Sequence, residues 1–487
     1  MAGDATNRRD FLARLGGGVA AAALATDAPA REGAPVKRPN ILVIITDQQH
    51  AGMLGCTGNR YVKTPHMDSL AATGTRFERA YCSNPVCVPS RFSILSGVMP
   101  SRIGMEHNGH QRNPVPDAVL RNGMGAALRA AGYATAYGGK RHIPAGEGRP
   151  NSVADYGFDE FLTADEREGL ADACAAFLRR EHAKPFLLFA SFINPHDICH
   201  MAIDDHARSQ GKGVKETVER RRLAEALALP EGMTREEFFR DLCPPLPPNF
   251  AIPENEPEAV EKTDWRPFRA YARQKWSDEM WRLHRWAYAR LTERVDAKIG
   301  RVLAALRESG HEDDTLVVFT SDHGDMDGAH RLEHKSMLYE EACRIPLILS
   351  WKGVTTPGAV DSEHLVSNGL DLIPTLCDYA GIAAQPELKG RSIRPLAEGR
   401  KPKDWRDTLV IENERSRAVL WEHFKYGVYD TGERRELLVD LKADPGEMRN
   451  RAADPACRPQ VEEGRRLLLQ WCKEHGEALA DPYVVKS

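Results

Sequence analysis

The run NILVIITDQQ, residues 40–49, constrains the fold more than any other stretch of the chain. Five aliphatic residues follow one another without polar alternation. That pattern fits a strand buried on both faces, as in a parallel sheet. Three more segments have the same look, and each follows a helical pattern. YATAYGGKRH (133–142) follows MGAALRAAG, and KPFLLFASFINPH (184–196) follows LADACAAFLRREHA. DTLVVFTSDHGD (314–325) follows the amphipathic LTERVDAKIGRVLAALRESG, where Gly310 is placed to end the helix. IPLILSW (345–351) adds a further strand. Helix then strand, repeated, predicts an α/β fold: a large, mostly parallel sheet flanked by helices.

What stands at the end of each strand bears on function. The runs close at Asp47-Gln48, at Lys140-Arg141-His142, at Pro195-His196 and at Asp322-His323. In open parallel sheets, ligands bind beyond the carboxyl ends of the strands. One charged residue there is ordinary surface. Four strands delivering charged or metal-competent groups to one edge predict a site.

A separate stretch, NPVCVPSRFSILSG (84–97), reads as a short helix with Pro89 at its first position and Gly97 at its end. Cys87 then stands just before a helix N-terminus, whose unsatisfied N–H groups favour an anion, with Arg91 one turn on. On spacing alone, Cys87 is open to four readings: nucleophile, metal ligand, disulfide partner or packing.

Domain organisation follows from shifts in composition. Residues 1–30 carry Arg8-Arg9, then Phe11-Leu12, a small-residue apolar run and A-x-A cleavage candidates. This reads as a twin-arginine-type signal peptide, and hence as bacterial export to the periplasm. The apolar run is too short to span a bilayer, and no transmembrane segment is expected elsewhere. A net charge of −4 over 487 residues gives no electrostatic footprint for nucleic acid. Ten cysteines in an exported chain would suggest disulfides, though no C-x-x-C zinc spacing occurs. Residues 38–400 read as the main domain. Within it, about 201–285 is a charged, Pro-rich and aromatic insertion lying over the active edge. Its Trp, Tyr and Arg residues read as packing, with substrate contact as the other reading. Residues 401–487 alternate apolar and polar segments around turns and close on a helix, predicting a smaller subdomain with an antiparallel sheet.

Cys87-Val88-Pro89-Ser90-Arg91, followed by Ile94-Leu95-Ser96-Gly97, resembles the signature of the formylglycine-dependent sulfatases, within the alkaline-phosphatase-like superfamily. RPNILVIITDQQ, GKRH, SFINPH, TSDHGD and EHKSMLYEEACRIPLIL resemble further motifs of that family, so the likeness covers nearly the whole chain after the signal segment. It implies hydrolysis of an organic sulfate ester, on a substrate such as a sulfated carbohydrate. Cys87 would be oxidised to formylglycine by a formylglycine-generating enzyme, and the aldehyde hydrate would supply the nucleophile. Asp47, Gln48, Asp322, His323 and residue 87 would surround a metal, usually calcium, with magnesium or manganese as the other candidates. Arg91 would hold the hydrate. Lys140 and Lys335 would bind sulfate oxygens. His142 would take a proton, and His196, with Lys335, would stand near the leaving oxygen.

Fixed cations aimed at developing negative charge suit this chemistry, and carboxylate oxygens suit calcium or magnesium. The chain departs from the pattern in three places. Gln48 and His323 stand where many members carry Asp and Asn; a His ligand is softer and could admit manganese or zinc. Asp197 stands where the family's second proline is expected. Asp197 and His200 are candidates for the substrate pocket or for structure. The first two departures bring in a rival reading, a phosphonate or phosphate mono- or diester hydrolase on the same site. In the loop 105–113, His107, His110 and Arg112 are candidate sugar or anion contacts.

Overall fold

The structure is a computed structural model that describes residues 38–262, 266–476, 483 and 485. The expected signal segment, residues 1–30, lies outside them. The larger part carries β1 (Asn40–Asp47), β2 (Thr75–Phe77), β3 (Ala80–Tyr81), β4 (Ala134–Gly139) and β5 (Glu160–Phe161). It continues with β6 (Phe186–Pro195), β7 (Thr315–Ser321), β8 (Leu347–Ser350), β9 (Ala359–Asp361) and β10 (Val366–Ser367). Eight of these form one sheet in the order β5-β4-β6-β1-β7-β8-β2-β9. The stretch β5-β4-β6-β1-β7 is parallel, while β8 runs antiparallel to β7 and to β2.

The continuous apolar run of β1 serves two cores at once. Ile41, Val43 and Ile45 face one side, with Phe92 and Leu95 of α2 (Cys87–Ser96) and Leu372 and Leu376 of α5 (Asn368–Tyr379). Leu42 and Ile44 face the other. There they meet Met67 of α1 (Pro65–Thr73), Leu178 of α3 (Leu170–Leu178) and Ile299 of α4 (Asp278–Glu308). All five β1 residues are fully buried, each contributing about 1.5–3 kcal/mol of transfer free energy. No helix among the described residues is long and apolar enough to cross a membrane.

Some expectations are corrected. Helix α2 begins at Cys87, with Val86 as its cap, so Pro89 is its third residue and not its first. That position still lies in the first turn, where the missing proline N–H has no helical acceptor to lose. Gly97 does end the helix, with φ of 70°. The aromatic stretch near 280 is not separate from the helix expected after it. Both belong to α4, which starts from Ser277 as its cap. Trp281, Trp286 and Tyr288 of its first half pack a satellite core with Phe238, Ala272 and Trp276. No disulfide forms among the ten cysteines.

The C-terminal part is an antiparallel sheet of β11 (Thr408–Glu412), β12 (Ser416–Trp421), β13 (Phe424–Tyr429) and β14 (Glu436–Asp440), in sequence order. Helix α6 (Arg458–Glu474) lies on it through Val461, Leu468 and Trp471. Gly464 permits the close approach: a Cβ there would stand 2.4 Å from Tyr426 Cβ.

Candidate active site

Strands β4, β6, β1 and β7 are consecutive neighbours, so their carboxyl ends bring four short motifs together. The register sets Asp47 beside Pro195, Thr46 beside Ser321 and Gly139 beside Ser191. Lys140, His196 and Asp322 each follow one of these strands directly. Helix α2 enters the same corner with Cys87 at its N-terminus, and the side chain of Asn108 accepts a 3.0 Å bond from Val88 N in that first turn.

Cys87 Sγ is the hub. Lys335 Nζ lies 2.8 Å from it, His323 Nε2 3.3 Å, Asp47 Oδ1 3.8 Å and Lys140 Nζ 4.0 Å. Burial alone would raise the thiol, but Lys140, Lys335 and His323 outweigh it and hold the group well below the ordinary thiol range. His142 stands near the same sulfur and lowers it further, while His196 Nδ1 lies 3.8 Å from Cys199 Sγ. Burial, with Lys140 and Lys335 nearby, pushes His196 down to about 4, so its imidazole is neutral at pH 7.

Arg91 forms the floor of the site. It donates from Nε to Asp322 Oδ2 at 2.8 Å, from Nη2 to Asp47 Oδ2 at 2.9 Å and from Nη1 to Ser191 Oγ at 2.7 Å. These bonds fix the two carboxylates, and Cys87 Sγ is not among the acceptors. Lys140 Nζ donates to Asp47 Oδ2 at 2.6 Å. Burial opposes the charge on Asp47, but Lys140, His196 and Arg91 hold its carboxyl well below the usual range. Burial and the neighbouring Asp47 push Asp322 up to about 7.

One ligand atom each from Asp47, Cys87, Asp322 and His323 lies within 4.8 Å of the others, all buried. His323 Nδ1 sits 2.9 Å from Gly324 O, where it donates, leaving the Nε2 lone pair facing the carboxylates. Two hard oxygens, one imidazole and two crowded negative charges fit a divalent cation. Gln48 sits beside this group but turns elsewhere. Its Oε1 accepts from Lys335 Nζ at 2.9 Å, and its Nε2 donates to Asp325 Oδ2 at 2.7 Å.

Lys335 reaches the hub from a strained loop. His334 and Ser336 on either side have φ of 72° and 73°, in the left-handed region that L side chains rarely adopt. Arg269, from the insertion, donates to the Lys335 carbonyl. Ser191 and Arg269 carry no local mark in the sequence, because each meets a partner far along the chain. Asp325 closes the TSDHGD motif, but nothing there marks its bond to Gln48.

Beside the hub, a cavity of about 420 Å³ opens onto Lys140, His142 and His196. His200 lines it, whereas Asp197 is buried beneath, paired with Arg167. From the loop 105–113, Gln111 lines the cavity. The His107 and His110 rings meet at a tilt of 38° with centres 3.6 Å apart, and Arg112 is exposed.

The family model described as Sulfatase matches residues 39–382, and one described as N-sulphoglucosamine sulphohydrolase, C-terminal, matches residues 328–473. The chain is 28% identical over 456 residues to a Delta 4,5-hexuronate-2-O-sulfatase of Bacteroides thetaiotaomicron, covering 89% of this chain and 88% of that protein. It is also 28% identical over 505 residues to an N-acetylglucosamine-6-O-sulfatase of the same organism, covering 90% and 87%. The solved structure of a 2-O GAG sulfatase superposes with a TM-score of 0.76 at 27% identity, covering 90% of this chain and 93% of that one.

Proposed function

The chain belongs to the sulfatase family and is a sulfuric ester hydrolase, and from that premise we propose that it cleaves a sulfate ester on a saccharide, with residue 87 as the site of the nucleophile. The observation that carries this reading is the convergence on Cys87 Sγ of Lys335, Lys140, His323 and the Asp47 carboxylate. A thiol used directly would leave the paired lysines and the buried carboxylates without a purpose. Oxidation of Cys87 to formylglycine by a maturation enzyme replaces the sulfur with an aldehyde whose hydrate supplies the attacking oxygen. Asp47, Asp322 and His323 would hold a divalent cation, calcium by preference, which when bound polarises the sulfate oxygens.

The remaining work falls to this chain's side chains. Lys140 and Lys335 are held in place by Asp47 and Gln48 and stand ready as fixed cations for the sulfate oxygens. Arg91 locks both carboxylates so that they need not reorient during the reaction. His142 stands near residue 87 and accepts a proton from it. His196, kept neutral, offers an N–H to the leaving oxygen. The products are an alcohol and sulfate, with water supplying the fourth sulfate oxygen. The two sulfatases of Bacteroides thetaiotaomicron are named for sugars, and the polar cavity beside His196 supports a saccharide leaving group. The twin-arginine segment supports a periplasmic site of action. Gln48 and His323 favour one rival, a phosphonate or phosphate ester hydrolase.

Mass analysis of the Cys87 peptide, from a host with formylglycine-generating machinery, is expected to show conversion. The matured protein should then turn over a sulfate monoester in preference to phosphate mono- and diesters. An unmodified cysteine, or a preference for phosphate diesters, overturns the reading.

A further inference from the structure

The end of β4 supplies two adjacent cations that part company. Lys140 is buried and turns inward to Asp47. Arg141 lines the cavity of about 420 Å³ that opens beside His142 and His196. The chain turns sharply just after it, with His142 at φ of 41°. One strand end thus serves both the reacting centre and the space where a leaving group must lie.

A charge inventory of that space isolates Arg141. Arg167 is the other arginine on the wall. Its guanidinium is spent: it donates to Asp197 at 2.7 and 3.2 Å and to Glu166 Oε1 at 3.0 Å. Arg141 has no carboxylate at ion-pair distance among the described residues. It contacts the Asn151 carbonyl at 3.4 Å and lies over the Phe161 ring, 4.7 Å from its centre. Phe161 is itself 38% exposed, so this stacked pair forms a presented ridge and not a packed core. Asn151, with φ of 63°, also accepts from Ile143 N, which holds the loop carrying the arginine. The ring contact and the Asn151 bond hold the guanidinium in place and leave N–H groups for a bidentate acceptor.

The rest of the wall suits a polyhydroxylated group. Glu166 and Glu219 can accept from hydroxyls; Gln111 Nε2 donates to Asn151 Oδ1, which leaves Gln111 Oε1 to accept and Asn151 Nδ2 to donate. The volume is within the range of small-ligand sites.

We propose that Arg141 is a specificity-determining residue, which binds a second negative charge on the saccharide whose sulfate ester is cleaved at position 87. The chemistry is an oxyanion able to take two parallel N–H bonds: the carboxylate of a uronic acid or a second sulfate. This rests on the sulfatase reading and adds to it a preference for doubly charged sugars.

The test uses matured wild-type protein, Arg141→Gln, which keeps the stem over Phe161, and Arg141→Lys, which keeps the charge. Three substrates separate the anions: a 2-sulfated unsaturated uronate disaccharide, glucosamine 2-N,6-O-disulfate, and N-acetylglucosamine 6-sulfate, which has one charge only. In Arg141→Gln the ratio of kcat/KM between a doubly and the singly charged sugar should fall roughly tenfold or more, through KM and not kcat. Arg141→Lys should retain part of the ratio. The arm that falls, uronate or disulfate, names the anion. An equal fall on all three substrates, or none, overturns the proposal. A parallel calorimetric titration uses protein with Cys87 unmodified, with glucosamine 2-N,6-O-disulfate, the uronate disaccharide and N-acetylglucosamine 6-sulfate as probes. If the wild type turns over no sulfate ester, the sulfatase reading fails, and this titration still decides Arg141: Arg141→Gln must lose affinity for a doubly charged sugar selectively, or the proposal is wrong.

Discussion

Gln48 governs the position of a lysine through one amide. Its oxygen accepts from Lys335 Nζ and its nitrogen donates to Asp325, so the amide cannot flip without breaking both bonds. Burial pushes the Asp325 carboxyl up, and the Gln48 bond partly counters this. Gln48→Leu removes both bonds and leaves a buried acceptor without its donor. It is expected to cost about 1–3 kcal/mol, read as a lower urea midpoint, and to reduce kcat/KM by about tenfold or more as Lys335 loses its register. A variant with full activity would show that Lys335 is placed by its strained loop alone. At this scale the sequence was informative where function sits at strand ends. Asp47, Lys140, His196 and Asp322 each follow a run whose burial is written in its composition. Ser191 and Arg269 were not readable. Ser191 meets Arg91 across 100 positions, and Arg269 meets the Lys335 carbonyl across 66. Neither lies in a pattern that differs from an ordinary strand or an ordinary basic helix.

Elements in this protein hold one another by their ends. Asp296, inside α4, accepts from Met67 N at 2.8 Å and His66 N at 3.3 Å, and so caps α1 from another element. The long helix therefore fixes where α1 starts, and α1 packs beneath β8. Asp296→Ala should destabilise by about 1 kcal/mol, the size of a lost cap. Burial pushes this carboxyl up to about 6, against the opposing backbone bonds. Between pH 4 and 6 the native state then keeps a proton that the unfolded chain has released. Native protein binds more protons in that window, so stability falls as pH rises through it. Denaturation at pH 4.5 and 6.5 should show a smaller decline for Asp296→Asn than for the wild type; identical declines would assign the slope to another group. The interior parallel strands were legible because burial on both faces demands continuous apolar runs. The short strands β2, β5 and β9 have two or three residues each, too few to show any period. The start of α4 was missed because its first half turns toward a satellite core, with Trp and Arg on a face that does not resemble the aliphatic face after it.

Across the whole molecule, the C-terminal sheet buttresses the site without touching it. Glu412 N, at the end of β11, donates to Ser83 O at 2.9 Å, just before the Cys87 helix. Asn413 Nδ2 donates to Ser336 O at 3.2 Å, next to Lys335. Lys425 on β13, fully buried, donates to Leu338 O at 2.9 Å and pairs with Glu340 and Glu447, each at 2.8 Å. Burial opposes the lysine charge, but the two glutamates hold it well above its ordinary range. The composition shift near residue 400 marked a separate unit, yet nothing in it revealed that this unit pins the loop from Glu333 to Glu340. Lys425→Met keeps the volume and removes the charge. Glu340 would keep Arg344, at 3.2 Å, but Glu447 would face it inside the protein without the ammonium between them, which costs about 3–5 kcal/mol. Protonating one glutamate relieves that repulsion, so the deficit should narrow as pH falls from 7.5 towards 5.5. Because Leu338 is tied to the same ammonium, kcat should fall together with the urea midpoint. A variant that loses stability but keeps kcat would separate the buttress from the Lys335 loop. A variant that loses neither would show that the Glu412 and Asn413 bonds hold the loop without Lys425.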